Sequence, residues 1–570
     1  MLPLIEPHGG TLCELLSDGL RCEELKDDSI QFPSILLSDR QLCDIELLLS
    51  GAFSPLRGFL NQINYDSVVQ SMRLSSGVLW PIPITLDITE EDAHRVRDVP
   101  QIALRDITGL LIAILHREEI WKPDKQKEAI QIFGTDSYEH PAVDYLFRKA
   151  GDYYLGGQVE GIQMPPHYDF LNLRHTPRQL RAEFESRESS RIVAFQTRNP
   201  MHRAHKELTD RAAREVGGDL LIHPVVGLTK SGDIDHFTRV RSYKKLLPYY
   251  PTGKVFLSLL PLAMRMAGPR EALLHAIIRK NYGCTHLIIG RDHAGPGSYN
   301  SGKPFYGPYQ AQDLVKSYSE ELGIEVVSFR LMVYVPDSNS YKSIDQVEKD
   351  EKTLSISGTQ LRSMLQNGDE IPEWFSYKEI IEELQKTYPP KSHQGFAVFL
   401  TGLSGSGKST IANALQSRLL EILSCPVTLL DGDVVRTNLS KGLGFSQKDR
   451  STNVQRIGYV ASEIVKHRGV VICAPIAPYQ EDRTINRRRI EREGGYIEVF
   501  VNASLQVCER RDVKGLYAKA RAGLIKGFTG IDDPYEIPET PEVTCNTELE
   551  TVEESIDLVM KKLKDLAFFI

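Results

Sequence analysis

No two cysteines in this chain are spaced as CxxC, and no apolar run reaches the ~18 residues needed to span a bilayer. The eight cysteines (Cys13, Cys22, Cys43, Cys284, Cys425, Cys473, Cys508 and Cys545) are sparse and irregular. That pattern argues against a disulfide framework or a zinc site, and for reduced thiols in a cytoplasmic protein. The opening MLPLIEPHGG has no basic stretch leading into an apolar core, so no secretory signal is expected. Positive charge is not in excess either. Lysine and arginine total 68 against 76 acidic residues, a formal charge of −8. This counts against a general nucleic-acid binder while leaving room for a local basic pocket. With 25% charged and 41% hydrophobic residues, disordered and collagen-like chains are excluded.

What is present is length and rhythm. At about 150 residues per domain, 570 residues allow three or four domains. Residues 1–170 mix short β-branched and aromatic runs with Gly, Pro and Asp, which predicts a β-rich domain with little chemistry of its own. From Arg191 strands and helices alternate. Strands are expected at 191–195, 219–226, 254–260 and 285–290, and helices over 201–216 and the PREALLHAIIRKNYG stretch. Alternation of this kind predicts a parallel α/β sheet, here assigned to 171–330. A small subdomain and a TYPPKSHQG linker follow over 331–390. Residues 391–570 repeat the α/β rhythm, opening with FAVFL and an apolar helical stripe of Ile411, Leu415, Leu419 and Ile422.

The strongest local signal is TGLSGSGKST, in which Gly402, Gly407, Lys408 and Ser409 fill the G-x-x-x-x-G-K-S pattern between a strand and a helix. The loop Gly402, Leu403, Ser404, Gly405, Ser406, Gly407 presents backbone N–H groups to phosphates. Lys408 reaches the β/γ-phosphates, and Ser409, followed by Thr410, is placed for Mg²⁺ brought by ATP. In LLDGD, Asp431 and Asp433 are expected to share one face at a strand end, where they could position Mg²⁺ or an attacking hydroxyl; helix capping is the plainer alternative. Arg436, Arg450, Asn453, Arg456, Lys514, Lys519 and Arg521 then supply cationic and polar groups without a long basic run. A small anionic acceptor suits them better than a polynucleotide.

GLSGSGKST, LDGDVVR, LGFSQKDRSTNVQRIG, APIAPYQEDR, DVKGLYAKAR and FTGIDDPYE together resemble adenylyl-sulfate kinase over 394–570. The resemblance implies that the acceptor is the 3′-hydroxyl of adenosine 5′-phosphosulfate (APS). It assigns Arg436, Arg450 and Asn453 to the phosphosulfate, Phe445 and Phe528 to the adenine, Lys514 to the phosphates, and Asp433 to the hydroxyl proton. Many such kinases carry a serine in ISPY that can be phosphorylated. This chain has Ala477 there, which implies direct transfer from ATP.

The other chemical stretch is AFQTRNPMHRAHKEL, where His202 and His205 lie three apart at a helix start and so share a face. A metal pair and a capping pair are both open readings. Gln196, Arg198 and Asn199, polar groups at a strand's C-terminal end, favour an anion site. IIGRDHAGPG brings Gly290, Arg291, Asp292 and His293 to another strand end, and LTKSGDIDHFTRVR places Lys230, Arg239 and Arg241 among turn residues as a candidate flap.

QTRNPMHRAH, GRDHAGPG, ISGTQLR and IPEWF closely resemble ATP sulfurylase (sulfate adenylyltransferase) over about 1–390. The resemblance implies a PUA-like N-terminal domain and a Rossmann-like nucleotidyltransferase domain. Gln196, Arg198 and the backbone at Ala294 would bind sulfate. Asn199, His202 and His205 would stabilise the triphosphate, and Arg291 would guard the pocket. Thr197, Gly290, Asp292, His293 and Val333 would complete the nucleotide site, and the loop after Leu228 would close over it. The two resemblances together imply ATP + sulfate → APS + pyrophosphate, then ATP + APS → PAPS (3′-phosphoadenosine 5′-phosphosulfate) + ADP. They imply Mg²⁺ with ATP, no tightly bound organic cofactor, no nucleic-acid or membrane partner, and a homo-oligomer, dimer or hexamer. Other readings remain at this stage: a C-terminal PAPS sensor, a sulfurylase running in reverse, a nucleotidyltransferase for another anion, and a scaffold.

Overall fold

The structure is a computed structural model that describes residues 3–230, 233–329, 331–512 and 514–569; the side chain of Asp433 also lies outside the described residues. The chain forms two compact units, Met1–Ile356 with Pro372–Glu383, and Ser357–Ile371 with Leu384–Ile570.

The first unit opens on a six-stranded sheet. Its strands are β1 (Ser34–Leu36), β2 (Gly58–Phe59), β3 (Leu86–Ile88), β4 (Gln101–Arg105), β5 (Leu111–Trp121) and β6 (Tyr153–Gly161). They run in the order β1-β4-β5-β6-β2 with β3 also on β6, and every pairing but β1–β4 is antiparallel. Helices stand beside this sheet that the short apolar runs do not announce. Their starts are nonetheless chemically marked. Ser38 and Gln41 form a capping box on Asp39–Leu49, Asn61 caps Gln62–Ser71, and Pro141 opens Pro141–Arg148.

The same unit holds a five-stranded sheet: β7 (Ile192–Phe195), β8 (Asp219–Ile222), β9 (Val255–Leu257), β10 (His286–Ile289) and β11 (Glu325–Ser328). The order is β11-β10-β7-β8-β9, parallel throughout. The chain leaves β7 toward one edge and returns to its other side as β10, so the crevice beyond β7 and β10 is the place where such sheets bind ligands. The antiparallel pair β12 (Met332–Val335) and β13 (Ser340–Ser343) follows.

The second unit is built on β14 (Phe396–Thr401), β15 (Val427–Asp431), β16 (Val470–Ala474), β17 (Gly495–Asn502) and β18 (Val543–Asn546), ordered β15-β16-β14-β17-β18 and all parallel. β14 is buried at every residue, as a central strand covered on both faces must be. The helix Lys408–Ile422 buries Ile411, Leu415 and Leu419, but Ile422 is exposed because it is the helix's last residue.

Helix Gln447–Lys466 packs against Gln480–Ile490 through Gly458, where an added Cβ would lie 1.9 Å from Asn486 Oδ1. Asn486 cannot swing away without giving up its bond to the Val454 carbonyl (2.8 Å). Gly458→Ala is therefore expected to cost about 1–3 kcal/mol. Amide hydrogen exchange in 447–466 checks this, because protection there should fall while that of β4–β6 stays.

Candidate active sites

The first site stands where β7 and β10 end. Gln196 to Asn199 leave β7 in a tight turn: Thr197 Oγ1 donates to the Asn199 carbonyl (3.0 Å) and accepts from the Asn199 N–H (3.1 Å). The buried Tyr243 hydroxyl donates to the same carbonyl (2.8 Å). Arg198 is held by Asp233 (2.9 Å) and the Gly295 carbonyl (3.4 Å), and Lys230 Nζ by the Pro296 carbonyl (2.8 Å). From the β10 side, Asp292 and Ala294 both take positive φ (53° and 55°), a conformation rare for residues with a Cβ and frequent where function demands it. Arg291, exposed, pairs with Asp292 (3.0 Å). Behind them, His275 links Gln196 Nε2 (3.3 Å) to His293 Nε2 (3.1 Å).

His202 caps the helix Arg203–Val216, and its backbone N–H donates to His205 Nδ1 (3.2 Å). That bond leaves the His205 proton on Nε2, so the ring is a neutral donor. His202 Nδ1 meets the buried Ser376 hydroxyl (2.9 Å), and its ring lies on Phe375 with centroids 4.5 Å apart. Burial drives both imidazoles down, His202 to about 3 and His205 to about 4. Arg211 of the same helix donates to the Tyr341 carbonyl (3.2 Å) of the β12–β13 pair, in which Val333 is buried. The described residues hold no cluster of three or more His, Cys, Asp or Glu suited to a metal.

One expectation is corrected here. Arg239 and Arg241 are not on a flap but in the helix His236–Leu246. Arg239 is buried and donates to the Ile234 and Val225 carbonyls (2.8 and 2.7 Å). The backbone of 231–232 lies outside the described residues. Ser376, His275 and Asp233 went unnoticed in the sequence. Ser376 directly follows the IPEWF motif, which could have pointed to it; nothing local marks His275.

The second site is the loop between β14 and the helix Lys408–Ile422. A Cβ at Gly402 would stand 2.4 Å from the Val501 carbonyl, and Gly407 takes φ +104°, so both positions require glycine. Lys408 Nζ donates to the Gly402 and Leu403 carbonyls (3.0 and 2.7 Å). Burial, with Lys514 nearby, lowers it to about 8 against the opposing pull of Asp431. Ser409 Oγ donates to Asp431 Oδ2 (2.6 Å), the Tyr517 hydroxyl donates to the Ser404 carbonyl (2.8 Å), Ser406 Oγ is buried without a partner, and Thr410 is exposed. Gly405 takes positive φ (77°). Arg511, not singled out in the sequence, donates to the Thr547 hydroxyl (3.1 Å), whose own proton goes to the Ser406 carbonyl (2.7 Å). The expected pairing of Asp431 and Asp433 rests on a side chain, that of Asp433, outside the described residues. β15 ends at Asp431 and the helix Gly432–Thr437 begins at once, so the two-residue period of a strand does not carry across.

The residues expected to hold the acceptor lie in the same unit as this loop. Arg436 lies over the Phe445 ring (4.3 Å to the centroid), Phe528 packs edge-on against Tyr517 (5.0 Å), and Asn453 is buried with Oδ1 unpartnered.

Three family models match the chain: PUA-like domain over 5–164, ATP-sulfurylase over 171–387 and adenylylsulphate kinase over 394–546. Sulfate adenylyltransferases of Chaetomium globosum and Phaeosphaeria nodorum are 52% and 53% identical over 562 residues, covering 98% of each chain. The chain belongs to the sulfate adenylyltransferase family. It is a transferase of sulfate activation that joins an ATP sulfurylase to an adenylylsulphate kinase domain. A solved structure titled hexameric APS kinase from Thiobacillus denitrificans matches with TM-score 0.82 and 37% identity over 100% of both chains. No helix among the described residues is long and apolar enough to cross a membrane.

The depressed histidines set a pH dependence in this family member. An unfolded chain protonates histidine near 6.5, whereas the folded chain resists until about 4 for His205. Between those values the unfolded state binds more protons, so stability is whole above pH 6.5 and falls as pH falls, by up to about 3 kcal/mol for one such ring. Thermal unfolding from pH 7 to 4 should show the drop, and His205→Gln should flatten it.

Proposed function

We propose that the β7–β10 site adenylates sulfate and that the P-loop site phosphorylates the resulting APS, with the following residues in the following roles. What supports it most is that the ATP-sulfurylase model spans the β7–β10 strand ends and the adenylylsulphate kinase model spans the P-loop. In the first step a sulfate oxygen forms a bond to the α-phosphorus of ATP while the bond to the α,β-bridging oxygen breaks, and pyrophosphate leaves with the electron pair. Sulfate is fully ionised at neutral pH, so no general base is needed; position and charge neutralisation set the rate. Gln196, Arg198 and the backbone at Ala294 bind sulfate. Asn199, His202 and His205 meet the triphosphate, His205 as a neutral Nε2–H donor. Thr197, Gly290, Arg291, Asp292, His293 and Val333 surround the nucleotide.

In the second step the APS 3′-hydroxyl attacks the γ-phosphorus of ATP and ADP leaves. The loop Gly402–Thr410 wraps the phosphates, and Lys408 leaves the carbonyls of Gly402 and Leu403 to meet them. Ser409 and Asp431 present a hydroxyl and a carboxylate, oxygen donors suited to Mg²⁺. Mg²⁺ brought with ATP neutralises charge on the β- and γ-phosphates. Asp433 takes the hydroxyl proton, Arg436, Arg450, Asn453 and Lys514 serve the anionic side of APS, and Phe445 and Phe528 hold its adenine. Ala477 has no hydroxyl to carry a phosphoryl group, so transfer is direct. The working division is 1–170, 171–330, 331–390 and 391–570, and the protein is a homo-oligomer, as the hexameric relative is.

Labelled sulfate with Mg-ATP and pyrophosphatase, resolving APS from PAPS, tests both assignments. Wild type should give PAPS, and Lys408→Ala should stop at APS. Loss of the His205 donor in His205→Ala should slow APS formation about 10²–10³-fold. APS alone from wild type would reduce the P-loop domain to a nucleotide-binding module.

A further inference from the structure

Every nitrogen of the Arg450 guanidinium is engaged. Nε donates to the Phe445 carbonyl (2.9 Å), Nη2 to the Gly527 carbonyl, and Nη1 to both Thr529 Oγ1 and Asp533 Oδ2 (2.9 Å). These acceptors belong to two separate segments. One carries Phe445, and the other, 527–533, carries Phe528. A single buried guanidinium thus ties together the main chains on which the two candidate adenine-binding rings stand.

The carboxylate of Asp533 accepts a second hydrogen bond. The Tyr479 hydroxyl donates to the same Oδ2 (2.9 Å). Burial first, and Asp533 next, raise that phenol to about 12, so it remains a donor through any neutral assay. The Phe528 segment has its own local brace, since Asp532 accepts from the Gly527 N–H (2.6 Å) and from the Phe528 N–H. That brace shapes the turn. It does not fix the turn's distance from Phe445; the Arg450 fork does. A planar guanidinium has fixed donor directions, so whatever orients it also sets the separation of the groups it holds.

We propose that Asp533, oriented by Tyr479, is a positioning residue of the second reaction: it sets the attitude of Arg450, and through it the spacing of Phe445 and Phe528, for an adenine nucleotide acceptor. This rests on the reading of those two rings as the adenine clamp. Arg450 then acts chiefly as the tie between the clamp's two halves and only secondarily as a ligand of the phosphosulfate. The role differs from that of a plain structural ion pair, which would affect stability and both nucleotides alike.

The test uses the full-length protein. Asp533→Asn keeps the size and one acceptor while removing the charge, and Tyr479→Phe removes only the hydroxyl. Asp533→Asn should raise the KM for APS about tenfold or more, as loss of a charged hydrogen bond does, with kcat and the KM for ATP within about twofold. Tyr479→Phe should shift KM for APS in the same direction and less, and Asp533→Glu should recover part of the loss. Calorimetric titration of APS with ADP present should report the same ratios as dissociation constants. An unchanged APS affinity in both variants would overturn the proposal, and so would a parallel loss for ATP and APS together with a lower melting temperature. If wild type binds APS but forms no PAPS, the kinase assignment fails, while the binding ratios still decide whether Asp533 sets the clamp.

Discussion

Cations parked on main-chain carbonyls and carboxylates are the interaction on which both sites depend. A buried ammonium or guanidinium without a partner is costly, so the cations proposed above to meet phosphate or sulfate must be held by something beforehand. Lys408 rests on the carbonyls of Gly402 and Leu403, and the half-buried Arg198 on Asp233 and Gly295. In the proposed reactions an arriving anion exchanges these acceptors and does not have to create order. The price of preorganisation is that each stand-in must be close, which is why the loops bend into glycine-only or left-handed conformations at Gly402, Asp292 and Ala294.

The uncharged histidines belong to the same constraint. Were His202, His205, His275 and His293 all protonated beside Arg198 and the buried Arg279, the empty site would concentrate positive charge in low dielectric. Burial instead keeps each below its ordinary range. The pocket then offers directional N–H donors with only part of the charge. That suits an anion whose own negative charge must be moved, in the transition state, to a leaving pyrophosphate.

Much of this was legible in sequence because the chemistry is local. The P-loop, the HxxH pair and GRDHAGPG are each contiguous, and each follows a strand whose buried character shows as an unbroken apolar run. The parallel sheets of both α/β regions followed from that rhythm. The failures have a common cause. Arg239 was placed by composition, whereas what fixes it is burial against the Val225 carbonyl, 14 positions away. Ile422 shared the right period but stood at the helix end. The helices beside β1–β6 were hidden because short capped helices carry little periodicity. Ser376, His275 and Asp233 act on residues 18 to 174 positions away by number (from His293 to His275, and from Ser376 to His202), and no local pattern encodes such a meeting.

The two sites also differ in what they must bind. Sulfate is small and symmetric, and a few donors at a strand end suffice. APS carries a phosphate–sulfate mixed anhydride that pyrophosphate readily cleaves, so its standing concentration is low whenever the first step is near equilibrium. A kinase fed by such a step needs affinity from the part of the molecule that does not react, and the adenine is the only large apolar surface APS has. Stacking surfaces bind strongly only when their separation is set in advance, because ordering loops on binding would consume the gain. A clamp whose halves are tied through one guanidinium, itself fixed by a carboxylate and a phenol, meets that need. The ion pair Arg450–Asp533 is thus more intelligible as a spacer of aromatic rings than as a contributor to the stability of the fold.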